Sequence, residues 1–152
     1  MRPAVAADAS AALDVVRRSI VELCVADHRN DADTLAQWLA NKTVEQFLRW
    51  IASDRHHCVV AEDDSGICGV GLIEEDGEIQ LCYVRPGAQN RGHGGAMLER
   101  LEAQARGWGL ARIRLRSTGP AQGFYERHGY RSTGGPERGF GITRPLCYAK
   151  EI

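Results

Sequence analysis

The chain has 152 residues, of which 43% are hydrophobic and 26% are charged, and its net charge is −1. This composition is typical of a soluble globular protein, and the length fits a single domain with a proper core, which we place at residues 1–152. The apolar runs are shorter than the ~20 residues that a membrane span needs, and the first residues lack the apolar core of a signal peptide, so we expect a cytoplasmic protein with no membrane partner.

The charge is divided unevenly along the chain. Residues 1–80 carry 15 acidic and 7 basic side chains, whereas residues 81–152 carry 5 acidic and 12 basic ones. The near-neutral total argues against nucleic acid as the main partner, while the basic half favours an anionic ligand. The acidic half hints at a cationic partner through residues such as Asp27, Asp31 and Asp33, although scattered surface charge is the simpler explanation.

The cysteines are odd in number, widely spaced and mostly set in apolar runs. They are Cys24, Cys58, Cys68, Cys82 and Cys147. This pattern predicts small buried thiols and neither a disulfide framework nor a zinc site, so we expect no metal.

The first third of the chain has helical periodicity. Asp8 or Ser10 can cap a first helix, and Thr43 opens a capping box with Gln46. Trp38 and Trp50 are interpreted as anchors of the core or of a groove. In order, we predict an edge strand at 1–5, a helix at about 9–26, a polar loop at 27–31, a short helix around 35–39 and a helix from 44 to about 53.

The remaining two thirds alternate between strand and helix signals. Turns at Gly66 and Gly77 separate the first three strands. We predict strands at 57–62, 67–74 and 78–84, a helix ending at Gly107, a strand at 112–117, a short helix from Pro120 to Gly129, and closing strands at 130–132 and about 145–152. The glycine-rich link at 134–141 is predicted to be a mobile loop or a hairpin tip. The resulting order predicts a mixed α+β sheet with helices on its faces.

A glycine-rich junction follows the strand that ends at Val84. Gly92, Gly94 and Gly95 stand where this strand turns into a helix, so the first backbone N–H groups of the helix are available to a phosphate or pyrophosphate. A Walker loop is excluded because Gly94 is followed by Gly95 and Ala96 where that loop needs Lys and Ser/Thr, and a dinucleotide fingerprint is excluded because Met97 replaces its third glycine. A glycine-rich turn without a ligand remains the alternative.

Two motifs resemble those of the GNAT family of N-acetyltransferases: Gln89-x-x-Gly92-x-Gly94, and the segment from Ala121 to Tyr130, which reads AQGFYERHGY. The resemblance implies a GNAT-like α+β (mixed α/β) fold. This fold has a central, mostly antiparallel twisted sheet of six to seven strands, splayed between two parallel strands, with about four helices on its faces. The splayed strands would be those that end near Val84 and Ser117.

The same resemblance implies a binding site for acetyl-CoA. The strand edge at Cys82, Tyr83 and Val84 would pair with the pantetheine arm, and the loop amides would hold the pyrophosphate. Further cofactor-binding candidates are Gln89, Asn90, Arg91, Gly92, His93, Gly94, Gly95 and Thr118. Thr118 replaces the asparagine of many members, and Gly95 replaces a common basic residue. A bulky residue at Gly94 is expected to abolish CoA binding while leaving the fold intact.

The implied catalytic residues are Tyr125 and Glu78. Tyr125 matches the tyrosine that commonly serves as the acid near the CoA sulfur. Glu78 is the candidate base, because side-chain alternation would place it on one face with Gln80, Cys82 and Val84, and Gln80 cannot accept a proton. Glu74 and Glu75 are further candidates, and a solvated strand end is the structural alternative.

The implied activity is the transfer of the acetyl group of acetyl-CoA to an amine, by direct attack in a ternary complex. The acceptor would be a small-molecule or peptide amine, and the resemblance allows for a homodimer. The alternative is a non-catalytic acyl-CoA-binding module that acts as a sensor or a partner subunit.

Overall fold

The computed structural model describes residues 1–134 and 146–152. Its strands form one sheet in the order β1-β2-β3-β4-β5-β7-β6. The strands are β1 Arg2–Pro3, β2 His56–Asp63, β3 Gly66–Glu74, β4 Glu78–Val84, β5 Arg112–Ser117, β6 Arg131–Ser132 and β7 Leu146–Glu151. Neighbouring strands are antiparallel except β4 and β5, which are parallel. The predicted α+β fold with seven strands and one parallel pair is confirmed.

Helices cover both faces of the sheet. They are α1 Ala9–Leu23, α2 Val25–His28, α3 Ala32–Leu39, α4 Val44–Ala52, α5 His93–Gly107 and α6 Gln122–Arg127. On one face, α1 and α4 bury residues such as Ile20 and Phe47 against β2, β3 and β4. On the other face, α5 buries Met97 and Leu101. Four of these helices have eight or more residues, as the resemblance implied. In the described part of the chain, no helix is both long enough and apolar enough to cross a membrane.

The prediction of a polar loop at 27–31 is wrong for residues 27 and 28, which are helical. The first helix ends at Leu23, and a short helix, α2, follows at Val25–His28. His28 is fully buried, its Nε2 lies 2.9 Å from the carbonyl oxygen of Ile20, and its Nδ1 accepts a hydrogen bond from the backbone N–H of Asn30. The backbone thus satisfies both ring nitrogens, which lets a polar residue occupy the core.

Of the two predicted helix caps, one is confirmed. The Thr43 hydroxyl accepts a hydrogen bond from the N–H of Gln46 at 3.2 Å, which is one half of the predicted capping box; the Gln46 side chain accepts from Arg49 at 2.9 Å and does not complete the other half. Asp8 precedes α1 but makes no side-chain cap; its carboxylate instead binds the guanidinium of Arg2 at 2.8 and 2.9 Å and the N–H of Val5 at 2.8 Å. Asp8 therefore fastens β1 to the start of α1. The predicted loop at 134–141 and the start of the last strand near 145 fall mainly on residues 135–145, which lie outside the described part of the chain.

Candidate active site

The two parallel strands diverge and leave a cleft between them. β4 and β5 pair only at Glu78 with Arg114 and at Ile79 with Leu115, whereas β4 stays paired with β3 as far as Val84. One edge of β4 beyond Ile79 is therefore open toward β5. A cavity of about 690 Å³ occupies this opening and extends from α1 to the glycine loop and α6. An open strand edge of this kind can accept an extended ligand as an additional strand.

A β-bulge in β4 changes which side chains face this cavity. Leu72 and Ile73 are consecutive in β3, but they pair with Leu81 and Ile79, so Gln80 is an extra residue in β4. Ile79 packs on the α5 side of the sheet and Leu81 on the α1 side. The expectation that Glu78 shares a face with Cys82 and Val84 is therefore wrong, because the bulge interrupts the alternation.

The glycine loop has the backbone form expected of an anion-binding junction. Gly92 precedes α5 with φ 86°, and Asn90 has φ 60°, so both adopt left-handed conformations. The first backbone bond of the helix runs from the N–H of Ala96 to the carbonyl of Gly92 at 3.0 Å, so the amides of residues 93–95 precede the helical ladder. The Gln89 side chain accepts a bond from the N–H of Gly87 at 2.7 Å and so braces the loop.

Gly94 and Gly95 are also required for packing. A Cβ atom at Gly94 would lie 2.9 Å from the Phe124 ring, and one at Gly95 would lie 2.8 Å from Nε2 of His128. Both distances are too short for a real contact, so these glycines let α5 approach α6. A bulky residue at Gly94 would have to displace the Phe124 ring, so we expect it to disturb the packing of α5 on α6 as well as the loop; that the fold stays intact remains a prediction.

Tyr125 lies in the wall of the cavity and is 7% exposed. Its ring packs edge-on against Phe124 and Tyr130, with centroids 5.1 and 5.8 Å away. Burial, together with the neighbouring Cys82 side chain, raises the pKa of its hydroxyl well above the usual value. The hydroxyl is therefore protonated at neutral pH and can donate a hydrogen bond or a proton to a group in the cavity.

Cys82 lines the same cavity as Tyr125. Burial raises the pKa of its thiol to about 12, an effect that the neighbouring Tyr125 hydroxyl partly offsets. Since the thiolate is the nucleophilic form of cysteine, Cys82 is a poor nucleophile at neutral pH.

A second cavity, of about 320 Å³, adjoins the first. The two share a wall that consists of Ile79, Gln80, Tyr83, Arg116 and Thr118. Glu78 lines this second cavity, and its carboxylate accepts hydrogen bonds from Arg116 at 3.2 Å and Arg114 at 3.4 Å.

The further base candidates are engaged elsewhere. Glu74 accepts a bond from Gln80 at 2.6 Å, and Glu75 pairs with the exposed Arg55 at 2.7 Å. Neither carboxylate lines either cavity. Among the three, Glu78 is therefore the one that lines a cavity, and it directly precedes Ile79 and Gln80 of the shared wall.

Most of the predicted cofactor residues line the larger cavity. Those that do so, apart from Tyr125, are Cys82, Tyr83, Val84, Gln89, Asn90, Gly92, His93, Gly94, Gly95 and Thr118. Arg91 is exposed at the loop and is not part of the lining. Thr118 makes no side-chain cap for the turn that follows it.

Sequence reasoning missed several residues of the site. Lys42, Asn41 and Arg116 line the second cavity, and no local motif marks them. Trp38 and Trp50 line it as well, which fits their interpretation as groove anchors. Two of the acidic residues that hinted at a cationic partner have structural roles: the Asp27 carboxylate accepts a bond from the N–H of Gly119 at 2.9 Å, and the Asp31 carboxylate caps α3.

The described residues contain one group of three potential metal ligands, Asp63, Cys68 and His93, whose ligand atoms lie within 4.8 Å of one another. The Asp63 carboxylate already binds Arg85 at 2.8 Å and the Ser65 hydroxyl at 2.6 Å. These bonds favour a structural ion pair between Asp63 and Arg85 over a metal site. That the protein binds no metal stays a prediction.

Comparisons with known proteins agree on one family. A profile of the acetyltransferase (GNAT) domain matches residues 54–132. An uncharacterised N-acetyltransferase of Mycobacterium tuberculosis (strain ATCC 25618 / H37Rv) is 26% identical over 102 residues, which cover 62% of this chain and 65% of that protein. The chain thus matches just under two thirds of the length of this curated relative.

Solved structures show the same fold. A GCN5-related N-acetyltransferase from Rhodopseudomonas palustris has a TM-score of 0.85 at 19% identity, covering 99% of this chain and 94% of its own. The PaiA N-acetyltransferase from Thermoplasma acidophilum, in complex with coenzyme A, has a TM-score of 0.81 at 17% identity, covering 99% and 97%.

Proposed function

The chain belongs to the GNAT acetyltransferase family, since the family profile matches more than half of its residues, and on that basis we propose that it transfers an acetyl group from acetyl-CoA to an amine. The observation that carries the proposal is one continuous cavity, which contains the open edge of β4, the amides of the glycine loop and the buried hydroxyl of Tyr125. The structural neighbour from Thermoplasma acidophilum binds coenzyme A, which supports the choice of donor.

The residues of the larger cavity fit this donor in three places. The backbone of Cys82, Tyr83 and Val84 offers unpaired N–H and C=O groups for the amides of the pantetheine arm. The amides that precede the ladder of α5 hold the pyrophosphate at the positive end of the helix dipole. Asn90 and Arg91 lie at the loop where they add polar contacts to the phosphates, and Gln89 keeps the loop in shape.

Two side chains move the protons of the reaction. Acetyl-CoA supplies the activated acyl group. Glu78 takes a proton from the acceptor ammonium, directly or through a water, so that the neutral amine attacks the thioester carbon. As the new C–N bond forms and the C–S bond breaks, Tyr125 donates its proton to the departing sulfur, and the proton that the nitrogen then loses restores the Tyr125 hydroxyl. The second cavity holds the acceptor, because it meets the larger one at Gln80 and Thr118.

Transfer is direct and involves no acyl-enzyme. The described lining of the larger cavity contains two thiols, those of Cys24 and Cys82, and burial raises the pKa of each to about 12, so both are protonated at neutral pH. The acceptor and acetyl-CoA therefore bind together before either product leaves.

The test is release of CoA from acetyl-CoA in the presence of a panel of amines, measured by a thiol reagent. For Tyr125→Phe we expect kcat to fall by about 10²-fold with CoA affinity unchanged, because the ring remains and only the acid is lost. If Tyr125→Phe turns over as fast as the wild type, the assignment of Tyr125 as the acid is refuted. If no amine yields CoA from the wild type while calorimetry shows acetyl-CoA binding, the chain is a binding module instead.

A further inference from the structure

The second cavity contains an ammonium group that lacks an anionic partner. Lys42 lies in the turn between α3 and α4 and is 7% exposed. Its Nζ donates to the side-chain oxygen of Asn41 at 2.6 Å, and no carboxylate in residues 1–134 or 146–152 forms an ion pair with it. A buried ammonium with one neutral acceptor has two further donors to satisfy.

The backbone fixes Lys42 in this position. Its N–H donates to the carbonyl of Leu39 at 3.0 Å, and its carbonyl accepts a bond from the guanidinium of Arg17 at 2.8 Å. Burial lowers the pKa of the amine from 10.5 to about 8, and no nearby carboxylate raises it again. At neutral pH the side chain therefore remains mostly charged, and burial makes it more costly to leave unpaired than a surface lysine.

The other charged groups of the cavity are already engaged. Asp27 of α2 accepts the N–H of Gly119. Glu78 of β4 and Arg116 of β5 bind each other at 3.2 Å. The cavity thus contains two carboxylates, Asp27 and Glu78, and two cations, Arg116 and Lys42, so its net charge is zero. A cavity with no net charge suits a ligand that carries one charge of each sign better than it suits a polycation.

The walls of the cavity set the size and polarity of the rest of the ligand. Trp38, Trp50 and Tyr83 contribute aromatic surface, and the volume of about 320 Å³ is that of a small-molecule site. Gln80, two residues after Glu78 on β4, lines both cavities, so an amine bound between these two side chains is next to the proposed site of acyl transfer.

We propose that the acceptor is a small amino acid-like amine, whose carboxylate binds Lys42, whose ammonium lies near Glu78, and whose apolar or aromatic side chain packs on the tryptophans. This assignment rests on the proposed acetyl transfer and specifies its substrate class. Lys42 acts as a specificity-determining residue that contacts the substrate carboxylate and takes no part in proton transfer.

The experiment compares matched amines that differ only in the carboxylate: tryptophan with tryptamine, tyrosine with tyramine, and phenylalanine with phenethylamine. Calorimetry measures their binding to the CoA-saturated protein, and CoA release measures their turnover. We expect the carboxylated member of at least one pair to bind about 10- to 100-fold more tightly, as a charge-assisted hydrogen bond to a buried group would give. In Lys42→Met this preference should disappear, while binding of the decarboxylated member stays the same.

Two further variants keep the test specific. Lys42→Arg retains a cation and should retain part of the preference, whereas Arg49→Met removes a cation from the exposed face of α4 and should leave it unchanged. Equal binding of both members of every pair, no binding of any carboxylated amine, or a preference that survives in Lys42→Met would overturn the proposal. Acetylation of Lys42 itself, seen by mass spectrometry after incubation with acetyl-CoA alone, would also overturn it, because Lys42 would then be an acceptor.

The binding and turnover measurements test the carboxylate site and the acetyl transfer separately. Selective binding of the carboxylated amines without CoA release would refute acetyl transfer and retain the carboxylate site. CoA release from the decarboxylated amines alone would retain acetyl transfer and refute the carboxylate site.

Discussion

Replacement of Lys42 by methionine should make the folded protein more stable at neutral pH. Burial lowers the pKa of Lys42 from 10.5 to about 8, whereas the unfolded chain keeps the ordinary value. The folded state therefore binds this proton less tightly than the unfolded state does. Since each pKa unit corresponds to about 1.4 kcal/mol, the charged side chain destabilises the fold by about 3 kcal/mol at pH 7.

Methionine removes the charge and keeps an unbranched apolar stem in the cavity wall. The side-chain oxygen of Asn41 loses its donor, which costs about 1 kcal/mol at most, because Asn41 is exposed and water can replace the ammonium. The net gain in the free energy of unfolding is about 2 kcal/mol, which corresponds to a rise in Tm of roughly 4–8 °C for a chain of this size.

The gain should depend on pH in a defined direction. Between about pH 8 and pH 10.5 the unfolded wild type binds more protons than the folded form, so wild-type stability rises with pH over this window. The advantage of Lys42→Met should therefore be largest at pH 7 and small near pH 10.5. Urea unfolding of both proteins at the two pH values measures it. A variant that is less stable at pH 7, or a gain that is the same at both pH values, would refute the reasoning.

The other lysine of the chain provides a control of opposite sign. Lys150 binds both carboxylate oxygens of the buried Glu102, at 2.9 and 3.0 Å. Lys150→Met leaves this carboxylate with the Tyr130 hydroxyl at 3.1 Å and the more distant Arg106 at 3.5 Å. We expect a loss of about 2–4 kcal/mol from the broken buried pair, measured in the same unfolding assay.

Three further predictions concern residues of the two cavities. Glu78→Gln should lower kcat at least about 10-fold through loss of the base, whereas the matched change Glu75→Gln, at an exposed ion pair, should not alter turnover; equal effects would exclude Glu78 as the base. Gly94→Ala should lower the free energy of unfolding by about 1–3 kcal/mol and weaken CoA binding, whereas Gly107→Ala, at a position with open space in the same helix, should leave stability unchanged or raise it. Thermal unfolding measures the stability of both variants, and calorimetry measures their CoA binding. Cys82→Ala should retain turnover with kinetics that require both substrates together, and complete loss of CoA release would point to a covalent route.

Local patterns predicted most of the secondary structure. β5 at Arg112–Ser117 and β4 at Glu78–Val84 have the predicted bounds, because alternating and continuous apolar runs are properties of the segment itself. The glycine loop was identified for the same reason, since strand, glycines and helix follow one another directly. Its packing role was not predictable, because the contacts of Gly94 and Gly95 with α6 join segments about thirty residues apart.

Local sequence patterns could not predict the residues that form the acceptor side of the site. The bulge at Gln80 depends on how β4 pairs with β3, and a single strand's sequence does not specify that pairing. The burial of Lys42 depends on how the turn after α3 closes over the sheet, and a lone lysine in an acidic half normally indicates a solvated side chain. Burial of His28 likewise depends on carbonyl groups at the end of α1.

The one extra residue in β4 explains why the cleft opens between β4 and β5. Parallel pairing of β4 with β5 stops at Ile79, and the extra residue of β4 comes directly after it. A bulge bends and twists its strand, so Gln80 turns the rest of β4 away from β5. Deletion of Gln80 would leave the remaining side chains of β4 on their present faces and would allow the two strands to pair further. The width of the cleft between β4 and β5 therefore depends on the number of residues in β4 as well as on the side chains that line it.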